Sequence, residues 1–114
     1  MPADPEAMQR MLAEMRAEYR NALPAKLLEI ENLWRDVAGS VEPAEKFHEL
    51  RRLAHTLAGS AKTFGLPGVT ETARALEEAL APLCQPGAAP AAGEIDFRRI
   101  APLVAAIRRS SVAD

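Results

Sequence analysis

Apolar residues recur three and four positions apart along most of the chain. The first run is Met8, Met11, Leu12, Met15 and Tyr19, and it continues as Leu23, Leu27, Ile30, Trp34 and Val37. That spacing puts one apolar stripe on a helix and predicts helix over residues 4–38. Pro24 has no N–H and its ring crowds the preceding turn, so a kink or short break is expected near Asn21 to Pro24. The result is a first helix of about five turns and a second of about four. Gly39 and Ser40 then stop the second.

Pro43 suits the first turn of a third helix, whose stripe is Phe47, Leu50, Leu53, Ala54, Leu57, Ala61 and Phe64. Gly65 and the Leu66-Pro67-Gly68 stretch close it. A fourth helix, about 67–84, turns Val69, Ala73, Leu76, Leu80 and Leu83 inward. Residues 85–93, "QPGAAPAAG", read as a flexible loop with nothing to pack. A last helix, about 94–109, carries Phe97, Ile100, Val104 and Ile107, and Pro102 should kink it at about 3 kcal/mol. Amphipathic helices on short connections bury their stripes best against one another. The expected fold is therefore all-α, an antiparallel four-helix bundle with an additional N-terminal helix, in one domain over residues 1–114.

Composition agrees: Ala, Leu, Glu and Arg abound, β-branched residues are few and aromatics are 4%. With 114 residues the chain buries enough surface to need no disulfide or metal staple, and its one cysteine cannot form an internal bridge. A net charge of −2, with 26% charged residues, gives no reason to expect nucleic acid. No apolar run approaches a membrane span and the polar N-terminus has no leader pattern, so a cytoplasmic location and no membrane partner are expected.

Candidate chemistry lies in "LAHTLAGSAKTFG", residues 53–65. With Leu50, Leu57 and Ala61 facing inward, a rotation of about 100° per residue puts His55 about 140° away, on the solvent side. His48, Arg51, Gly59 and Lys62 share that sector, and Arg52 borders it. A surface histidine is common. Gly59, one turn on, is not: it costs about 0.5–1 kcal/mol relative to alanine and clears bulk from beside the ring. A packing notch explains it less well, because it points away from the stripe. A neutral imidazole is nucleophilic and suited to carrying a phosphoryl group transiently. His48 and His55 stand too far apart to share a metal ion without other ligands. Cys84 reads as a small hydrophobe, and the methionine stripe as core or helix-docking surface.

The segment from His55 to Gly65 closely resembles the signature of histidine-containing phosphotransfer (HPt) domains. The matching residues are His55, Leu57, Gly59, Ser60, Ala61, Phe64 and Gly65, and Leu76-Glu77 on the next helix fits as well. The resemblance implies that His55 is the phosphoacceptor and that Glu77 orients its imidazole, with Arg74 flanking. Glu77 paired with Arg74 as a solvated charge is the plainer alternative. Family members usually have lysine where this chain has Ala58. Lys62 and Arg74 are then candidates to stabilise the phosphoryl group, and Arg51, one turn before His55, could do the same. Arg51, Arg52 and Gly59 are the expected docking residues.

By resemblance, the implied function is a phosphorelay step. His55 takes a phosphoryl group from a receiver-domain aspartyl phosphate, or from a histidine kinase (possibly a hybrid one), and passes it to a response-regulator receiver. No cofactor is expected on this chain, since the receiver would supply Mg²⁺, and nothing here holds ATP, so an autonomous kinase is excluded. Two alternatives remain: a catalytically silent docking module for receivers or kinases, and a detached phosphotransfer domain phosphorylated directly by a kinase.

Overall fold

The structure, a computed structural model, describes residues 4–40, 43–85 and 97–114. Four helices follow one another: α1 (Pro5–Ala38), α2 (Ala44–Thr63), α3 (Pro67–Leu80) and α4 (Phe97–Ala113), with a 3₁₀ turn (Ala81–Cys84) extending α3. The fold is an all-α bundle, and the described residues contain no strand.

Each helix ends where its sequence supplies the means. Asp4 caps α1, its carboxylate accepting from the Glu6 N–H at 3.1 Å, with Pro5 in the first turn. α2 closes in a Schellman turn: the Leu66 N–H reaches the Ala61 carbonyl at 2.9 Å and the Gly65 N–H reaches that of Lys62 at 3.2 Å. Gly65 takes φ of 73°, which L side chains avoid, and Leu66 is driven into the core just beyond it.

The expected break at Pro24 does not occur. α1 runs unbroken for 34 residues, so the additional N-terminal helix is present as the first part of α1 and not as a separate element. Pro24 and Arg20 both face solvent, where water can serve the carbonyl that loses its donor. Leu23 and Leu27 are buried on either side and hold the helix to the bundle. α4 likewise continues through Pro102, with Arg98 and Pro102 exposed, and runs four residues past the expected end at Arg109. The expected loop, apart from Gln85, and the expected start of the last helix lie outside the described residues.

The packing order is α2 on α3, α3 on α4, with α1 lying across α2 and α4. Cross-helix contacts give the directions. Tyr19 meets Ser60, Arg20 meets Asp114, and Asp114 meets Gly68, so the start of α3 and the ends of α2 and α4 gather beside Tyr19. Neighbours are thus antiparallel. Phe47, Leu50, Leu66, Leu76, Leu80, Ile100 and Ile107 fill the centre.

Tyr19 is the first buried residue of α1. Before it, Met8, Met11, Leu12 and Met15 are all exposed, so the methionine stripe is not core. At about 1.5 Å per residue α1 is about 51 Å long, against about 30 Å for α2. That excess explains the elongated 58 × 27 × 18 Å shape.

Candidate phosphoacceptor site

α2 brings His55 to the surface by its phase. Leu50, Ala54, Leu57 and Ala61 lie against the core, which leaves the imidazole 74% exposed. α3 brings Glu77 to meet it. Leu76 is fully buried, so the next residue emerges at the edge of the buried face, where the Glu77 side chain is only 23% exposed. His55 Nδ1 and Glu77 Oε1 are 2.7 Å apart. A carboxylate only accepts, so Nδ1 carries the hydrogen and donates it. In the neutral ring the lone pair then belongs to Nε2, which has no hydrogen-bond partner among the described residues. Glu77 is therefore bonded to His55, not to Arg74.

One turn on, Gly59 faces open space. A Cβ built there would meet nothing within 4 Å, so internal packing does not require glycine. Ser60, next to it, is tied inward: its hydroxyl donates to the Leu57 carbonyl at 3.2 Å and accepts from the Tyr19 hydroxyl at 2.7 Å. Tyr19 stacks on Phe64 with centroids 4.6 Å apart. Ala58 is buried, its methyl group part of the core.

A hollow of about 220 Å³ adjoins the imidazole, lined by His48, Arg51, Arg52, His55 and Glu77. Among the described residues no group of three or more His, Cys, Asp or Glu side chains could hold a metal ion.

The family comparison identifies the architecture. The family model described as the Hpt domain matches residues 14–110, nearly the whole chain. The chain belongs to the Hpt domain family. Hpt domains are histidine phosphotransfer modules of phosphorelays, which interact with receiver domains and kinases. Neither the comparison with curated proteins nor that with solved structures gave a match.

Within this Hpt fold the expected site residues separate into two groups. Arg51, Arg52, His55 and Glu77 share the hollow already described. Lys62 and Arg74 do not line it. They open instead on a second hollow with Gly65, Leu66, Pro67, Thr70 and Glu71. Lys62 lies seven residues beyond His55, about 10 Å along the axis, and Arg74 one turn before Glu77. Arg52 is engaged in a two-pronged bond to Glu49, one turn back, which holds the Glu49 carboxyl below its ordinary range. His48 shares the His55 hollow, a placement its spacing of seven residues already signalled. A groove lined by Lys26, Glu29, Ile30, Leu53, Thr56, Leu57 and Ser60 between α1 and α2 was not anticipated, because it depends on how the two helices meet. Cys84 is buried, which pushes its thiol pKa up, with Arg51 acting weakly in the opposite sense. No helix among the described residues is long and apolar enough to cross a membrane.

Proposed function

We propose that His55 is the phosphoacceptor of this Hpt domain. On this reading it takes a phosphoryl group from the aspartyl phosphate of a receiver domain, or from a histidine kinase, and gives it to the receiver of a response regulator. The observation that carries the reading is an exposed imidazole whose Nδ1–H is held by Glu77 at 2.7 Å, which leaves the lone pair on Nε2.

The chemistry follows from that tautomer. The Nε2 lone pair attacks phosphorus as the bond from phosphorus to the aspartyl oxygen breaks, and the carboxylate leaves with that electron pair. The ring becomes a phosphoimidazolium, its positive charge stabilised by the Glu77 carboxylate through the Nδ1–H that it already accepts. Nothing is gained or lost at Nδ1, so the reverse attack by a receiver aspartate restores the neutral ring. Positioning and charge do most of the work in phosphoryl transfer. A receiver would bring its own Mg²⁺ and carboxylates, and this chain an oriented imidazole on an unobstructed face. Gly59 and the cations Arg51 and Arg52 would serve docking against an acidic receiver pocket.

Incubating the full chain with a phosphorylated receiver domain, then measuring intact mass at mildly alkaline pH, tests the reading. Gain of one acid-labile phosphoryl group by the wild type and none by His55→Gln is the expected outcome. Receiver binding that is equal in both proteins, with no phosphoryl gain in either, would instead identify a silent docking module.

A further inference from the structure

The first part of α1 carries an apolar face that no other described helix covers. Residues 4–18 are exposed throughout. This stretch is nonetheless equipped to be helical. Asp4 caps it, and Glu6, Arg10 and Glu14, four apart and alternating in sign, support it on one side. The opposite side is a strip of Met8, Met11, Leu12 and Met15, each 41–48% exposed. An isolated amphipathic helix of about 14 residues is marginal in water, so covering the strip stabilises it.

The order of its residues fits the strip to a second copy of itself. A two-fold interface requires that when residue i meets j, j also meets i. Laid antiparallel on its own copy, the strip puts Met8 opposite Met15 and Met11 opposite Leu12, so every apolar residue finds an apolar partner. The charges at its edges accept this register. Glu14 comes level with Gln9, Arg16 with Ala7 and Glu18 with Pro5, so no like charges meet. The bundle fixes the direction. The strip continues along α1 as Tyr19, Leu23 and Leu27, which are buried against the other helices. A parallel copy would run into that bundle, whereas an antiparallel copy carries its own bundle away at the opposite end. The start of each α1 then reaches the end of the other bundle, where Phe64 is half-buried.

We propose that residues 5–18 of α1 pair antiparallel with the same segment of a second copy, joining two Hpt domains end to end. A strip about 21 Å long offers less than the roughly 800 Å² per partner of a standard interface, so the pair is reversible and forms at micromolar concentrations or above. Tyr19 meets Ser60. His55 lies five residues back along α2 and Met11 eight residues the other way along α1, which separates strip and imidazole by about 20 Å along the bundle. Both His55 faces stay open in the pair, and the pairing does not depend on their chemistry.

Sedimentation equilibrium of the full chain, from about 5 to 500 μM, tests this. The wild type should pass from one chain mass to two over that range. Met11→Glu, at an exposed position, should stay at one mass, with the helical content of the wild type at low concentration. Leu28→Glu removes another exposed apolar side chain of α1, outside the strip, and should match the wild type. Wild-type protein that stays at one mass throughout, or a dimer that survives Met11→Glu, overturns the proposal.

Disulfide trapping reads the direction, and Cys84, being buried, leaves the wild type as a blank. Met8→Cys and Met15→Cys chains, mixed, should cross-link to each other, and Met8→Cys alone should not. Self-linking of Met8→Cys would mean a parallel pair and would also overturn it. Phosphoryl transfer from a receiver to His55 should be equal in Met11→Glu and wild type. A monomeric wild type whose phosphoryl gain falls in Met11→Glu would assign the strip to the receiver instead.

Discussion

At the residue scale, the contact that matters most is the one between His55 and Glu77. Its consequence for reactivity is a tautomer preference, because Glu77 favours the ring form whose Nε2 is free. One exposed hydrogen bond is worth about 0.5–1.5 kcal/mol net, up to about ten-fold in rate. Glu77→Ala should therefore slow phosphorylation of His55 by phosphoramidate several-fold and up to about ten-fold without abolishing it. Glu77→Gln, which keeps an accepting oxygen, should recover part of the rate. Loss of all reactivity in Glu77→Ala, with helical content unchanged, would mean that the carboxylate does more than orient the ring. Sequence phase was enough to bring His55 to the surface, since the apolar stripe from Phe47 to Ala61 fixes the rotation of α2. It was not enough to rank the cations. Lys62 and Arg51 lie in one angular sector of α2, yet only Arg51 lines the His55 hollow, and Lys62 opens on the one near the start of α3.

At the scale of elements, α3 needs a cap that its own sequence does not provide. Its N-cap residue is Leu66, which has no side-chain acceptor. Asp114, at the end of α4, supplies one across the bundle: its carboxylate accepts from the Gly68 N–H at 3.0 Å and the Val69 N–H at 2.8 Å. Gly68 leaves room for that approach, since a Cβ there would stand 2.9 Å from a carboxylate oxygen. Arg20 holds the same residue from the other side, donating to the Asp114 carbonyl at 2.8 Å. Removing a capping carboxylate costs on the order of 1 kcal/mol. Asp114→Ala should lower unfolding free energy by about that amount in urea titration, with an unchanged denaturant slope. Because α3 also carries Glu77, the cap steadies the element that orients His55. A variant as stable as the wild type would show that solvent caps α3 equally well.

The whole molecule is held laterally by packing and, at one edge, by an ion pair between α1 and α4. Arg108 donates to Glu31 from both Nε, at 2.9 Å, and Nη2. The bond to Arg108 is the main reason that the Glu31 carboxyl titrates below its ordinary value. A carboxylate with a lowered folded pKa stabilises the fold fully above its unfolded pKa and loses that contribution as pH falls through the folded value. The pair is partly exposed, so its worth is about 0.5 kcal/mol after screening. Glu31→Gln should be less stable than wild type by about that amount at neutral pH, and the two proteins should converge as pH drops below the carboxylate range. A gap that persists in acid, measured by thermal unfolding, would assign the loss to packing. Beyond this edge α1 runs on past the bundle, and residues 5–13, with Met8, Met11 and Leu12 exposed, precede the part that matches the Hpt family.

The sequence by itself determined the helical class, the inward stripes, the turn at Gly65 and the exposure of His55, because each follows from periodicity or from backbone chemistry local to a few residues. The motif at residues 55–65 pointed to the family by its resemblance to the family signature. Tertiary structure alone decided that α1 stays whole through Pro24, since burial of Leu23 and Leu27 against other helices outweighs one missing hydrogen bond. It alone decided that Asp114 caps α3, a contact spanning 46 positions. It also decided which cations stand beside the imidazole, because a long side chain's destination is set by the surfaces around it, and those surfaces belong to other helices.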